Sequence, residues 1–179
     1  LAEQFSDDAA LRQELRELYQ RTALLASKAA DAEKESVYEQ YYDYAEPVSK
    51  VAGHRILAVD RGEREGFLKV SIQVESEQAA ALLRRRFVRA GGGPSAAQVT
   101  LAAQDAYDRL LHPSLERELR SELTARAAEG AIAVFGENLR QLLLQPPIRG
   151  KVALGMDPGY RMGCKLAVVD PTGKVLATD

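Results

Sequence analysis

The sequence predicts a mainly α-helical chain with one short strand or hairpin, followed by the first strands of an α/β domain. Leucines recur at helical intervals through most of the first 145 residues, as expected for helices that bury one face. Pro146-Pro147 interrupts this pattern, because proline ends helices and restricts the residue before it. Short apolar runs between glycine-containing turns follow, which is typical of strands. We therefore expect a helical domain over residues 1–147 and strands over residues 148–179.

The first helix is expected to begin at Ser6-Asp7-Asp8, because such side chains cap free amides and acids favour the first turn. The leucines that follow at helical spacing are Leu11, Leu15, Leu18 and Leu25. This pattern predicts a helix that continues through residues 26–44 and ends at Pro47. A shorter helix over residues 49–59, ending near Gly62, is expected next.

Residues 67–74, FLKVSIQV, alternate polar and apolar side chains, which predicts a strand with one buried face. A helix from Ser76 to about Arg89 is expected after this strand, and Gly91-Gly92-Gly93 marks a break. These glycines do not form a phosphate-binding loop, since no strand precedes them and no Lys-Ser or Lys-Thr pair follows.

Three further helices are expected before the proline pair. The first spans residues 95–111 and ends at His112-Pro113, where the second begins. The second helix carries a line of leucines, namely Leu115, Leu119 and Leu123. The third is defined by the apolar residues Ile132, Phe135, Leu139 and Leu142.

A run of arginines, Arg84-Arg85-Arg86 with Arg89, admits two interpretations. Guanidinium groups can contact phosphate backbones without reading sequence. Consecutive helical residues point in different directions, however, so they do not form one patch. We favour a solvated face with ion pairs to Glu75 or Glu77.

A group of tyrosines also admits two interpretations. Its members are Tyr38, Tyr41, Tyr42 and Tyr44. Aromatic rings can stack on unpaired bases, but tyrosine equally buries its ring and bonds its hydroxyl inside a protein. We favour packing, with His54 or Arg55 nearby.

Composition excludes several classes of protein. The formal net charge of −2 gives no overall attraction to nucleic acid. The single cysteine, Cys164, excludes an internal disulfide and fits a reducing compartment. His54 and His112 are separated from each other and from Cys164, so no zinc site is visible. Because no apolar run approaches the roughly 18 residues of a membrane span, we expect a cytoplasmic protein without membrane contact.

Residues 151–169, KVALGMDPGYRMGCKLAVV, are the most informative segment for function. An apolar strand is expected to end on Asp157, and Pro158, Gly159 and Gly163 are expected to form the turn to a second strand. A further turn and a third strand, starting at Lys174, follow. A carboxylate at a strand end can bind a divalent metal, although two-metal chemistry needs several. The alternative, which spacing alone favours, is an aspartate that begins a turn by bonding its own backbone.

This segment resembles the start of the YqgF-type, ribonuclease H-like domain of Tex, a family of bacterial transcription accessory proteins. The family pattern is approximately G-I-D-P-G-Y-R-T-G-C-K-x-A-V-V-D, and residues 155–170 read GMDPGYRMGCKLAVVD. Met162 stands where the family usually has threonine. A second block resembles the same family upstream, with YYDYAEP at 41–47, HRILA at 54–58 and RGEREG at 61–66.

The resemblance implies a fragment of a longer protein, comprising a helical scaffold and a truncated ribonuclease H-like domain. Further carboxylates would lie beyond residue 179, so the fragment is expected to have no catalytic activity and no cofactor. Asp157 is the candidate metal ligand, with a divalent metal expected only in the full-length protein. Arg161 and Lys165 are the candidate nucleic-acid contacts. RNA or DNA and the transcription machinery are the partners that the resemblance implies.

Three hypotheses follow. The first, which we favour because the block at 41–66 is a Tex feature, is a nucleic-acid-binding transcription accessory factor. The second is a metal-dependent, resolvase-like nuclease that uses Asp157, and the third is a structural interaction module. Because an isolated hairpin is marginally stable in water, the terminal strands should pack on the helices, pair with another copy through open edges to form a homo-oligomer, or be disordered.

Overall fold

The computed structural model describes residues 1–88, 93–146, 149–159 and 163–179. These residues divide into two units, Leu1–Ala133 and Val134–Asp179. The first unit combines helices with a three-stranded antiparallel sheet, and the second contains another three-stranded antiparallel sheet. The predicted class, a mainly helical region followed by strands that begin an α/β domain, is confirmed.

The regular elements alternate between helices and strands in the first half of the chain. The helices are α1 (Ala2–Ser6), α2 (Ala9–Thr22), α3 (Gly53–Arg64), α4 (Ser76–Phe87), α5 (Pro94–Asp105) and α6 (His112–Leu143), with a 3₁₀ turn at Glu39–Tyr41 and a π-helical segment at Ala106–Leu111. The strands are β1 (Leu24–Ala29), β2 (Asp43–Pro47), β3 (Leu68–Gln73), β4 (Ala153–Gly159), β5 (Gly163–Val169) and β6 (Val175–Thr178). Two boundaries agree with the predictions: Asp8 caps α2 by accepting from the Leu11 amide at 2.9 Å, and β3 lies within the expected strand.

The expected continuation of the first helix through residues 26–44 is wrong, because two strands and a 3₁₀ turn occupy this region. The helix ends at Thr22, and β1 follows after the extended residue Ala23. β1 is the central strand of the order β2-β1-β3 and pairs antiparallel on both sides. The ladders of backbone hydrogen bonds on both sides of β1 outweigh the high helix propensity of its alanines. Pro47 ends the edge strand β2 and not a helix, a position where proline is tolerated.

Helix α3 begins and ends later than expected, and Gly62 lies inside it rather than at its end. Gly62 is buried, and a Cβ atom there would lie 2.6 Å from Leu68 Cδ1 and 3.1 Å from Tyr38 Cδ1. Glycine therefore lets α3 approach β3 closely. The chain leaves the helix through Gly66, whose φ of 79° places it in the left-handed region.

The expected boundary at His112-Pro113 is also wrong, because α5, the π-helical segment and α6 form one continuous helical run. Proline lacks an amide hydrogen, and in an α-helix its ring crowds the carbonyl four residues before. The π turn immediately before Pro113, in which the His112 amide donates to the Tyr107 carbonyl, widens the helix at this point. The run therefore continues past the proline.

The apolar core of the first unit collects one face of α2 and the first half of α6. Its buried residues include Leu11, Leu15 and Leu18 of α2 and Leu115, Leu119 and Leu123 of α6, as their spacing predicted. The apolar residues predicted to define a last helix lie instead on the second half of α6. These residues, Ile132, Phe135, Leu139 and Leu142, are all exposed. The expected domain boundary stays a prediction, because residues 147 and 148 lie outside the described part of the chain.

The second sheet has the order β4-β5-β6, with both pairs antiparallel. This confirms the three predicted strands and the turn that connects the second strand to the third. The first predicted turn falls at residues 160–162, which lie outside the described part of the chain. Large apolar residues on these strands, including Leu154, Met156 and Val175, are more than half exposed. β4 and β6 are the edges of this sheet, and pairing between copies through those edges stays a prediction.

Two glycines within helices should respond in opposite directions to alanine. Gly130→Ala in α6 should raise the free energy of unfolding by about 1 kcal/mol, because nothing lies within 4 Å of the added methyl group and alanine is the better helix former. Gly62→Ala should lower it by about 1 kcal/mol, because the overpacking against Leu68 outweighs that gain. Urea denaturation of both variants measures the two shifts. Stabilisation by Gly62→Ala would contradict the close approach of α3 to β3.

Candidate functional site

Asp157 lies on the exposed strand β4, directly opposite Lys165 of β5. The strand continues for two residues beyond Asp157, so the prediction that it ends there is wrong. Because side chains alternate between the faces of a strand, Asp157 shares its face with Ala153 and Gly155. Opposed residues have Cβ atoms about 4.5–5.5 Å apart, so Asp157 and Lys165 are cross-strand neighbours, and the next pair on their face, Gly155 and Ala167, is small.

Two glycines, Gly159 and Gly163, are the last paired residues of β4 and β5 on the side where the strands connect. Gly159 pairs with Gly163, and a Cβ atom on Gly159 would lie 2.6 Å from the Gly163 carbonyl oxygen. Gly163 has a φ of 80°, in the left-handed region that glycine adopts without strain. Pro158 and Gly159, expected in the turn, belong to β4 instead. Arg161, the second candidate nucleic-acid contact, lies outside the described residues.

The aspartate that begins a turn by bonding its own backbone is Asp170. Its Oδ1 accepts from the Thr172 amide at 2.8 Å, from the Thr172 hydroxyl at 2.7 Å and from the Lys174 amide at 3.0 Å. These hydrogen bonds lower the pKa of the Asp170 carboxyl below its ordinary value, and the bond from the Thr172 hydroxyl has the largest effect. Asp157 by contrast lies within paired strand. Across residues 1–88, 93–146, 149–159 and 163–179, no three His, Cys, Asp or Glu side chains come together as a metal site would require.

The arginine run is engaged in ion pairs, as the favoured interpretation predicted. Arg84 bonds Glu77, Arg85 bonds Glu14 and Arg86 bonds both Asp8 and Glu14. The last two arginines therefore connect α4 to α2, a partner that the sequence did not indicate. The hydrogen bond from Arg86 lowers the pKa of the Asp8 carboxyl. Arg89 lies outside the described residues.

The tyrosine group packs inside the first unit, which supports the packing interpretation over base stacking. Tyr38 and Tyr41 are buried with Val59 and Leu68 in a small apolar cluster. The Tyr38 hydroxyl donates to Glu65 at 2.8 Å. Tyr44 donates to Glu46, which also accepts from Arg55 at 2.8 Å, so Arg55 lies near the group as expected.

A buried hydrogen-bond network that sequence reasoning missed connects α2 to the π-helical segment. The Tyr19 hydroxyl lies 2.7 Å from His112 Nδ1 and 3.0 Å from the Tyr107 hydroxyl. Burial above all raises the pKa of the Tyr19 hydroxyl, and the bond to Tyr107 adds to the effect. His112 is therefore part of a polar network and not the helix-end residue that its proline neighbour suggested. Tyr19 is separated in sequence from Tyr107 by 88 positions and from His112 by 93, and no sequence motif connects them.

A polar groove between α3 and α6 was also missed. It has a volume of about 720 Å³ and four arginines line it, Arg61, Arg64, Arg117 and Arg120. Arg120 reaches across it to Asp60 and Glu63, and the Glu63 hydrogen bond is the main cause of a raised Arg120 pKa. The groove exists only when the two helices pack, so neither segment indicated it alone.

Comparison with known families supports the resemblance read from the sequence. Residues 1–135 match a family described as Tex central region-like, and residues 151–179 match the Tex protein YqgF-like domain. Among the residues that the structure describes, every helix is too short or too polar to cross a bilayer.

Curated relatives come from both bacteria and animals. The chain is 46% identical to Bacillus subtilis YdcI over 182 residues, covering 100% of this chain and 25% of that protein. It is 36% identical to the transcriptional accessory protein Tex of Neisseria gonorrhoeae over 194 residues, covering 99% and 24%. It is 34% identical to human S1 RNA-binding domain-containing protein 1 over 163 residues, covering 88% and 16%. The chain thus spans about a quarter or less of the length of these relatives.

The buried Tyr19 hydroxyl should make the first unit sensitive to alkali. Its pKa is raised in the folded chain above the ordinary 10.0, so above about pH 10 the unfolded chain loses a proton that the folded chain keeps. The stabilisation is complete below that pH and declines as the pH rises. We expect Tyr19→Phe to reduce the decline by about 1.4 kcal/mol per pH unit, measured by urea denaturation between about pH 10 and 12.

Tyr19→Phe should also lower the free energy of unfolding at neutral pH by about 1–3 kcal/mol, because Tyr107 and His112 lose a partner. Tyr42→Phe, at a half-buried hydroxyl outside this network, serves as the control for the loss of a tyrosine hydroxyl at neutral pH. If the free energy of unfolding declines equally with pH above about pH 10 in the unaltered chain and in Tyr19→Phe, Tyr19 does not keep its proton in the folded chain.

Proposed function

Because the chain belongs to the Tex family of transcription accessory proteins, we propose that it forms the helical scaffold and the start of a ribonuclease H-like domain in a nucleic-acid-binding factor. The observation that carries this proposal is the order of the two family matches, which together cover residues 1–135 and 151–179. We place the boundary between the two domains at Pro147, within the gap between those matches.

Names of relatives support a role with RNA. One relative is named a transcriptional accessory protein and another an S1 RNA-binding domain-containing protein. For this chain, nucleic-acid binding and the transcription machinery as a partner are proposals. The charge distribution is compatible with them, because residues 146–179 carry a formal charge of +2 and leave −4 for the rest.

The proposed contacts at the hairpin are Lys165 and Arg161. Lys165 is exposed on the face of small residues beside Asp157. Small neighbours leave its ammonium group accessible to a phosphate oxygen, and such contacts position a nucleic acid without reading its sequence. Arg161 lies two residues after Gly159 in the same segment. In this proposal the chain binds nucleic acid and catalyses no reaction.

The alternative is a metal-dependent, resolvase-like nuclease in which Asp157 binds a divalent ion. The accessible position of Asp157 favours it. Two-metal hydrolysis needs several convergent oxygen ligands, and this chain supplies one carboxylate at the hairpin within its described residues. The residues present therefore do not fit a complete metal site, and we derive no catalytic step from them.

Nucleic-acid binding can be tested in a full-length Tex-family protein that carries this segment. We expect Arg161→Gln with Lys165→Gln to weaken binding of single-stranded RNA at all sequences and to reduce the slope of log K against log salt by about 0.7 for each lost contact. Filter binding at several salt concentrations measures both effects. Lys174→Gln with Lys151→Gln, which removes two exposed charges of the same segment, is the control. Salt-independent binding, or none, would favour the structural-module hypothesis.

The nuclease alternative makes a separate prediction about Asp157. We expect the 179-residue chain with Mg²⁺ or Mn²⁺ to cleave neither RNA nor duplex DNA, because one carboxylate cannot hold two hard cations. Gel electrophoresis of labelled substrates measures cleavage. Cleavage by the 179-residue chain would overturn this expectation. In the full-length protein, cleavage that disappears in Asp157→Asn and persists in Asp170→Asn would support the nuclease alternative.

A further inference from the structure

The groove between α3 and α6 is built from two polar stripes that face each other. Each stripe uses residues at i, i+3, i+4 and i+7, the spacing that places side chains on one helix face. On α3 these are Leu57, Asp60, Arg61 and Arg64, and on α6 they are Arg117, Arg120, Ser121 and Thr124. The helices are in contact at one end, where a Cβ atom on Gly53 would lie 3.5 Å from Ala127 Cβ.

Arg120 and the two acids of the groove hold the helices together. Arg120 Nη2 lies 3.2 Å from Asp60 Oδ1, and its Nη1 lies 3.1 Å from Glu63 Oε1. The Thr124 hydroxyl donates to the second oxygen of Asp60 at 2.6 Å. Both carboxylates are therefore already bonded to α6. They do not compete for the other arginines of the groove.

Arg64 and Arg117 are the cations that remain available. Both are exposed, and neither forms an ion pair with any residue in the described part of the chain. Arg61 bonds Glu65 at 2.8 Å, on its own helix. The groove thus carries four arginines against two acids, although the whole chain has a formal charge of −2.

We propose that this groove binds the phosphate groups of a nucleic-acid backbone, with Arg64 and Arg117 as the principal contacts. This inference rests on the proposed function and adds a second contact surface far along the sequence from the hairpin. Arginine presents forked N–H donors that match phosphate oxygens, and the Ser121 hydroxyl adds a further donor. An acidic polypeptide would need apolar pockets for anchoring side chains, and Leu57 is the only apolar residue among those that line the groove.

The test is fluorescence anisotropy of a labelled single-stranded RNA with the 179-residue chain. We expect Arg64→Ala with Arg117→Ala to weaken binding on the order of tenfold at about 0.1 M salt and to reduce the salt slope by about 1.4. Arg21→Ala with Arg126→Ala removes the same charge from exposed positions outside the groove and should leave affinity nearly unchanged. Circular dichroism of both double variants should show unchanged helix content, since none of the four arginines takes part in an ion pair between described residues.

Three results would overturn the groove as a phosphate site. Equal losses in the two double variants would indicate a general charge effect. Displacement of the RNA by polyglutamate as readily as by polyphosphate would indicate an acidic polypeptide as the ligand. If the unaltered 179-residue chain does not bind RNA, the groove proposal fails as well, whereas the proposed function still stands or falls with filter binding by the full-length protein.

Discussion

The burial of the first half of α6 is the constraint on which the rest of the first unit depends. Leu115, Leu119 and Leu123 belong to the same buried cluster as the leucines of α2, and full burial of each leucine contributes about 1.5–3 kcal/mol. Around this contact lie the polar groups that set its register. Arg16 bonds Glu118 and Arg12 bonds Ser114.

The same helix then supports the two features that connect it to the sheet and to α3. Glu116 accepts from the Ile72 amide at 2.8 Å, which occupies an edge group of β3 and so protects one side of the first sheet. One turn further along, Arg120 bonds the acids of α3. The core leucines, the sheet edge and the groove are therefore consecutive contacts of a single helix. A change that unseats its leucine face affects all three.

The elements that followed from the sequence are those in which local pattern and tertiary packing agree. The leucine stripes of α2 and α6 and the alternation in β3 are each determined by residues within a few positions. β1 was missed because its alanines favour helix locally, while its pairing partners lie up to 49 residues away, as for Leu24 and Gln73. Pro113 misled for a similar reason. Proline usually ends or kinks a helix, but here a π turn accommodates it, and no local sequence motif predicts that turn.

The candidate sites divide in the same way. The hairpin that carries Asp157 and Lys165 was predictable because one contiguous segment builds it, although the strand runs two residues further than expected. The groove of Arg64 and Arg117 could not be predicted, because its two walls are separated by about fifty residues of chain. Each stripe alone resembles an ordinary solvated helix face. The packing of the tyrosine group was predicted correctly, because a tyrosine can bury its apolar ring while its hydroxyl keeps a hydrogen-bond partner.

The π-helical segment sets the rotational phase of everything that follows it on the helix. One residue advances an α-helix by roughly 100°, so the wider turn at Ala106–Leu111 determines which side of α6 meets α2. Loss or gain of a single residue near this segment would swing the leucine stripe away from its partners while leaving local helix propensity intact. Length variation in this part of the chain should therefore be poorly tolerated.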